Sequence, residues 1–150
     1  MRHLKRIISF IVVLAISVAC MGTMGTVYAA SAPEPDGTQA SPTLAKYAVW
    51  LKPGTKSGEL RITFEVTATG MASSLGVSYI KIYKVGSSTP VTIYGSTANG
   101  LKSSGSVHAY TYSYTGATPG AQYYAVVAIF AQIGTTFDSR TLTTRTVTAP

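Results

Sequence analysis

The sequence predicts an all-β fold, an antiparallel sandwich of seven short strands, on three observations. Clusters of Gly, Pro, Ser and Asn punctuate the chain at short intervals from Pro53 onward. Between them, apolar residues alternate with period two. No segment after residue 43 sustains a helical period.

The N-terminal 29 residues stand apart. Arg2, Lys5 and Arg6 precede an uncharged apolar run from Ile7 to Ala19, and small residues lead to Val27-Tyr28-Ala29. This is the anatomy of a secretory signal peptide cleaved after Ala29, with Ala32 as a second site. The expected mature protein is therefore secreted, with no membrane contact once the leader is gone. Two alternatives are an uncleaved anchor over Ile7 to Ala30 and a lipid anchor at Cys20, where Ser17-Val18-Ala19-Cys20 resembles a lipoprotein box. Residues 30–43 hold Pro33, Pro35, Gly37 and Pro42 with almost no large apolar side chain, and are predicted to be a flexible linker. The β-sandwich is assigned to 44–150.

Cleavage removes the single cysteine, so no intrachain disulfide is available to the mature chain. Nine basic and five acidic residues remain, a net charge of +4. That bias favours loose attraction to anionic envelope polymers. Without a basic run or a recognised motif it does not point to nucleic acid.

The first strand is expected at Tyr47–Leu51, around the only tryptophan, Trp50. After the turn Pro53–Gly58, residues Glu59–Thr69 alternate strictly: Leu60, Ile62, Phe64, Val66 and Ala68 against Arg61, Thr63, Glu65, Thr67 and Thr69. Val77–Lys84 sets Ile80 and Ile82 against Tyr79, Lys81 and Tyr83, and Val91–Tyr94 follows. Gly95–Ser106 reads as a soft loop. Ala109–Thr115 places Tyr110, Tyr112 and Tyr114 on one side, best explained as core. Tyr123–Ala131, the most apolar run, is expected to be a central strand. In Thr141–Thr148, Leu142 and Val147 have opposite parity, which predicts a bend or bulge between them.

The stretch TGATPGAQYYAVVAIFA, from Thr115 to Ala131, resembles the corner and sixth strand of a fibronectin type III or immunoglobulin-like domain. The resemblance implies a tyrosine corner at Tyr123, with its hydroxyl returning to nearby backbone. Trp50 departs from that pattern, since Phe64 stands where the second-strand tryptophan would be. From about Tyr47 to Ala149 the chain also resembles a family of small secreted proteins of Gram-positive bacteria. The shared segments are Ile62–Gly70, Tyr123–Val127 and Asp138–Thr144. That resemblance implies export and fold and supplies no activity.

Few groups suit catalysis, and the expectation is a non-enzymatic protein with no cofactor and no metal. Glu59 and Glu65 share a strand face about 20 Å apart at ~3.3 Å per residue, too far for a paired-carboxylate mechanism. Arg61 between them suggests surface ion pairing. His108, with a serine and Asp138, is the remaining constellation for a hydrolase, against a solvated loop histidine.

The aromatic inventory is richer. If Ile80, Ile82, Tyr123, Ala125 and Val127 point inward, then Tyr79, Lys81, Tyr83, Tyr94, Tyr124 and Phe130 share an outer face suited to a protein or cell-envelope glycan. Ordinary exposed strand residues are the plainer explanation of the same pattern. Two further hypotheses compete with a binding module: a self-associating structural envelope protein and a hydrolase using His108.

Overall fold

A computed structural model describes residues 41–150. The expected signal peptide at 1–29 and residues 30–40 of the expected linker lie outside the described residues. Seven strands form an antiparallel sheet: β1 (Leu44–Pro53), β2 (Leu60–Lys84), β3 (Val91–Tyr94), β4 (Lys102–Tyr114), β5 (Gln122–Ile133), β6 (Thr136–Thr143) and β7 (Val147–Thr148). No helix occurs among the described residues, so the all-β expectation holds.

β2 is the organising element. Its first part, from Leu60 to about Ala68, lies between β1 and β4. Its last part, from Tyr79 to Ile82, lies between β3 and β5, and β6 and β7 pair with β5. The sequence predicts two strands here, Glu59–Thr69 and Val77–Lys84. The protein runs them together through Gly70–Gly76. Gly76 has φ +134° and Val77 N–H donates to Leu101 O at 2.8 Å. A side chain at Gly76 would collide with the Leu101 carbonyl, so glycine is required where the strand passes from one ladder to the next.

Register irregularities return apolar residues to the core on both sides of the Gly70–Ser74 stretch of β2, within which Met71 is exposed. Leu60, Ile62, Phe64, Val66 and Ala68 have even parity, Leu75 and Val77 odd, and Ile80 and Ile82 even again, and all are buried. The shifts fall between Thr67 and Leu75 and between Val77 and Tyr79. A bulge reverses which face the following side chains occupy. Tyr123, Ala125, Val127, Ile129 and Ala131 of β5 join these residues in one core.

The count of seven matches the expectation, but the partition differs. The fused pair in β2 is offset by a split at the C-terminal end. β6 begins at Thr136, across a two-residue hairpin loop in which Gly134 takes φ +58°. The expected interruption between Leu142 and Val147 is present, and both side chains pack against the core. Thr144 fills the gap: its N–H donates to Ala125 O, and its hydroxyl accepts from Ala125 N–H, each at 2.9 Å.

Two boundaries move. Thr43 is buried and donates to Ala131 O at 3.0 Å, so the β-domain takes in residues assigned to the linker. The soft loop is shorter than expected, because β4 starts at Lys102. Its remainder is ordered by Asn99, whose Oδ1 accepts from Ser96 N–H and whose amide donates to Tyr94 O at 2.8 Å. Of the tyrosine stripe on β4, Tyr112 and Tyr114 pack against the core, whereas Tyr110 is exposed.

Candidate functional site

The ladder β3–β2–β5–β6 presents an inner face to the core and an outer face away from it. Strand pairing sets Tyr79 opposite Tyr94 and Ala128, Lys81 opposite Thr92 and Val126, and Tyr83 opposite Tyr124. All six candidate residues, Tyr79, Lys81, Tyr83, Tyr94, Tyr124 and Phe130, therefore lie on one side of one ladder. They are not equally open. Tyr94 is 75% exposed, Tyr79, Lys81, Tyr83 and Tyr124 are half-buried, and Phe130 is only 4% exposed.

The rings are organised among themselves. Tyr83 and Tyr124 stack nearly parallel, with centroids 5.0 Å apart and an interplanar angle of 5°. Such a pair contributes about 0.5–1.5 kcal/mol beyond its buried area. Lys81 Nζ sits 5.1 Å from the Tyr79 centroid, and Lys102 Nζ 5.4 Å from that of Phe130. Each ammonium faces the negative side of a ring quadrupole. Phe130 is also stacked on Phe137 at 5.7 Å. It thus acts as a floor under Lys102 and Phe137, although its parity is outward.

Phe137 is 56% exposed and belongs to the same face, but sequence reasoning missed it because Gln132–Arg140 was given no strand. The signal was Ile133-Gly134-Thr135-Thr136: a glycine opening a two-residue loop after an apolar strand returns the chain as a hairpin. Lys102 was missed for a related reason, since its segment read as loop.

Among the described residues, no carboxylate stands on this face. Among the described residues, the three acidic groups each meet a cation elsewhere: Glu59 with Arg61 at 3.7 Å, Glu65 with Lys46 at 3.6 Å, and Asp138 with Arg140 at 2.6 Å. The expected ion pairing of Glu59 with Arg61 is present, but Glu65 turns across the ladder to Lys46. Asp138 is further engaged by the Ser41 hydroxyl and by Ser139 N–H at 2.8 Å. The Ser41 hydrogen bond is the main influence holding its carboxyl below the usual range, against the opposing effect of burial, and Arg140 adds to it.

His108 is placed differently from a solvated loop residue. It lies within β4, half-buried, edge-on to Phe64 at 5.2 Å, with Nε2 2.9 Å from Gly100 O. Asp138 makes its hydrogen bonds to Ser41, Ser139 and Arg140, not to this imidazole. Among the described residues no three His, Cys, Asp or Glu side chains converge as a metal site, and no helix is long and apolar enough to cross a membrane.

Comparison with protein-family models, with curated proteins and with solved structures returns no match in any of the three, so the fold and this face are the basis for a functional reading.

Proposed function

We propose that this chain is an exported, non-enzymatic β-sandwich of immunoglobulin or fibronectin type III-like topology that binds a partner through the outer aromatic face. The topology is supported by the division of strands between two ladders sharing β2, and by Tyr123. That ring is buried, and its hydroxyl accepts from Thr118 N–H at 2.9 Å, as a tyrosine corner requires. Export rests on the leader at 1–29 and on the resemblance to small secreted proteins of Gram-positive bacteria.

The observation that carries the binding reading is the joint arrangement of Tyr83, Tyr124, Lys81 and Lys102 on a face without a carboxylate. It favours a protein partner with an acidic surface over a neutral glycan. A sugar ring stacks on an open aromatic face, whereas Tyr83 and Tyr124 each commit one ring face to the other. Tyr-rich, desolvated clusters with basic neighbours are typical anchors of protein interfaces.

The test is retention of the domain on cell-envelope material, intact or protease-treated, alongside a glycan array. Tyr83→Ala with Tyr124→Ala is expected to keep the β-sheet circular dichroism and weaken retention by roughly tenfold or more, the loss typical of an interface anchor. Protease treatment of the envelope is expected to abolish retention. Unchanged retention by the double variant would remove the face from consideration, and retention that survives protease would move the partner to the glycan.

A further inference from the structure

We infer that β4 is a self-pairing edge: two copies of this chain join antiparallel along it, about a two-fold axis near Thr111. An edge strand offers a row of unpaired N–H and C=O groups to any other strand, and folded proteins blunt such edges with charge, proline, bulges or brevity. Among the described residues, three of the four long or open edges carry these devices. β1 has Lys46, Lys52 and Pro53, with a register shift between Leu44 and Lys46. β3 is four residues long and follows Pro90. β6 carries Asp138 and Arg140 and ends at the Thr144 interruption.

β4 begins with Lys102 and shifts register before Val107, but from Val107 to Tyr114 it carries none of these devices, with no Lys, Arg, Asp, Glu or Pro. Its register against β2 runs without a shift from Val107 opposite Thr67 to Tyr114 opposite Leu60. Among the described residues it pairs with β2 alone, which leaves its other side open along that whole length.

A second copy is the occupant the chemistry favours. From Val107 to Tyr114 the strand holds no lysine, arginine or carboxylate, so two copies meet there without like-charge repulsion, and Lys102 lies at the end of β4 away from the axis. Two-fold antiparallel pairing preserves parity. With Thr111 on the axis, Tyr110 meets Tyr112 of the second copy, and Ala109 meets Ser113. Tyr110 is 41% exposed, so its ring has free surface to give to such a pair. The small residues Ala109, Thr111 and Ser113 on the other side allow close approach. The result is an isologous interface that continues β1–β2–β4 of one copy into β4–β2–β1 of the next.

Among the described residues every ladder and every buried core side chain lies within residues 43–149, so residues 30–150 are the sample. Its mass is measured by sedimentation equilibrium across micromolar to near-millimolar concentration. The expected result is a rise toward twice the monomer mass. In Thr111→Lys, which sets two like charges face to face at the axis, and in Ala109→Lys, which puts a charged side chain against Ser113 of the second copy, the dimer constant is expected to weaken at least tenfold with thermal unfolding retained. A wild-type mass fixed at one chain throughout overturns the inference, and so does a dimer indifferent to both lysines. Neither result bears on envelope retention through Tyr83 and Tyr124, which sit on a different ladder.

Discussion

Glu59 shows how one carboxylate can organise a turn. Its side chain accepts from Thr55 N–H at 3.0 Å and Lys56 N–H at 3.2 Å, and Arg61 lies 3.7 Å away. A Cβ on Gly54 would strike this side chain, so the placement of Glu59 requires glycine at position 54. The backbone hydrogen bonds from Lys56 and Thr55 are the chief reason the Glu59 carboxyl is held below its ordinary value of 4.5. A carboxyl lowered in the folded state stabilises the fold fully above its unfolded value, and that contribution is lost as pH falls through the folded value. Glu59→Gln is therefore expected to lower the urea midpoint at pH 7 and to reduce the loss of stability below pH ~4.5, where the wild-type carboxylate is being protonated. Chemical denaturation between pH 2 and 7 reads both effects. A variant whose stability falls with acid as steeply as the wild type would show that the turn does not need the charge. The sequence pointed to Glu59 only as half of a surface ion pair, because hydrogen bonds to backbone leave no mark in residue spacing.

At the scale of elements, strict alternation made the first part of β2 legible, since one of its faces is buried, and an unbroken apolar run made β5 legible as a central strand, since Val127 to Ala131 are buried on both faces. Bulges made the rest harder. Val77 and Ile80 are both fully buried though three residues apart, and period-two reading cannot place both inward. The candidate face was nonetheless found, because its residues follow the bulge and keep uninterrupted register with β5 from Tyr79 to Lys84. The break near Thr144 was also foreseen, from the clash of parity between Leu142 and Val147. What could not be foreseen is that the threonine hydroxyl would replace the missing ladder acceptor. Ala125 is fully buried, so its N–H has no access to water if that hydroxyl is removed. Thr144→Val is expected to cost about 1–3 kcal/mol, the penalty of an unsatisfied buried donor. Thr143→Val, one residue earlier and exposed, is expected to stay within about 0.5 kcal/mol of the wild type. Urea denaturation of the two variants separates a bonding role from a general dislike of valine in this segment.

For the molecule as a whole, the described residues hold nine cations and three carboxylates, and each carboxylate has a basic neighbour. The positive excess is therefore spread over lysines and an arginine without acidic partners, two of the lysines resting on rings of the candidate face. Composition alone showed the sign of this charge. Where it falls required the fold, because Lys81 and Lys102 come together with Tyr79 and Phe130 only through strand pairing.

The continuity of β2 bears on how the molecule can come apart. Residues 60–67 are hydrogen-bonded to β1 and β4, and residues 79–82 to β3 and β5, within a single unbroken strand. Neither ladder can open along this strand without disturbing a neighbour of the other, so partial unfolding has no natural seam and the domain should melt as one unit. The slowest hydrogen exchange is expected in two blocks, 60–67 and 79–82, at a common rate set by global unfolding. Block rates that diverge under native conditions would reveal a seam. In a chain whose β-domain contains no cysteine, this shared strand does the work of a cross-link: it ties two ladders into one cooperative body by backbone alone.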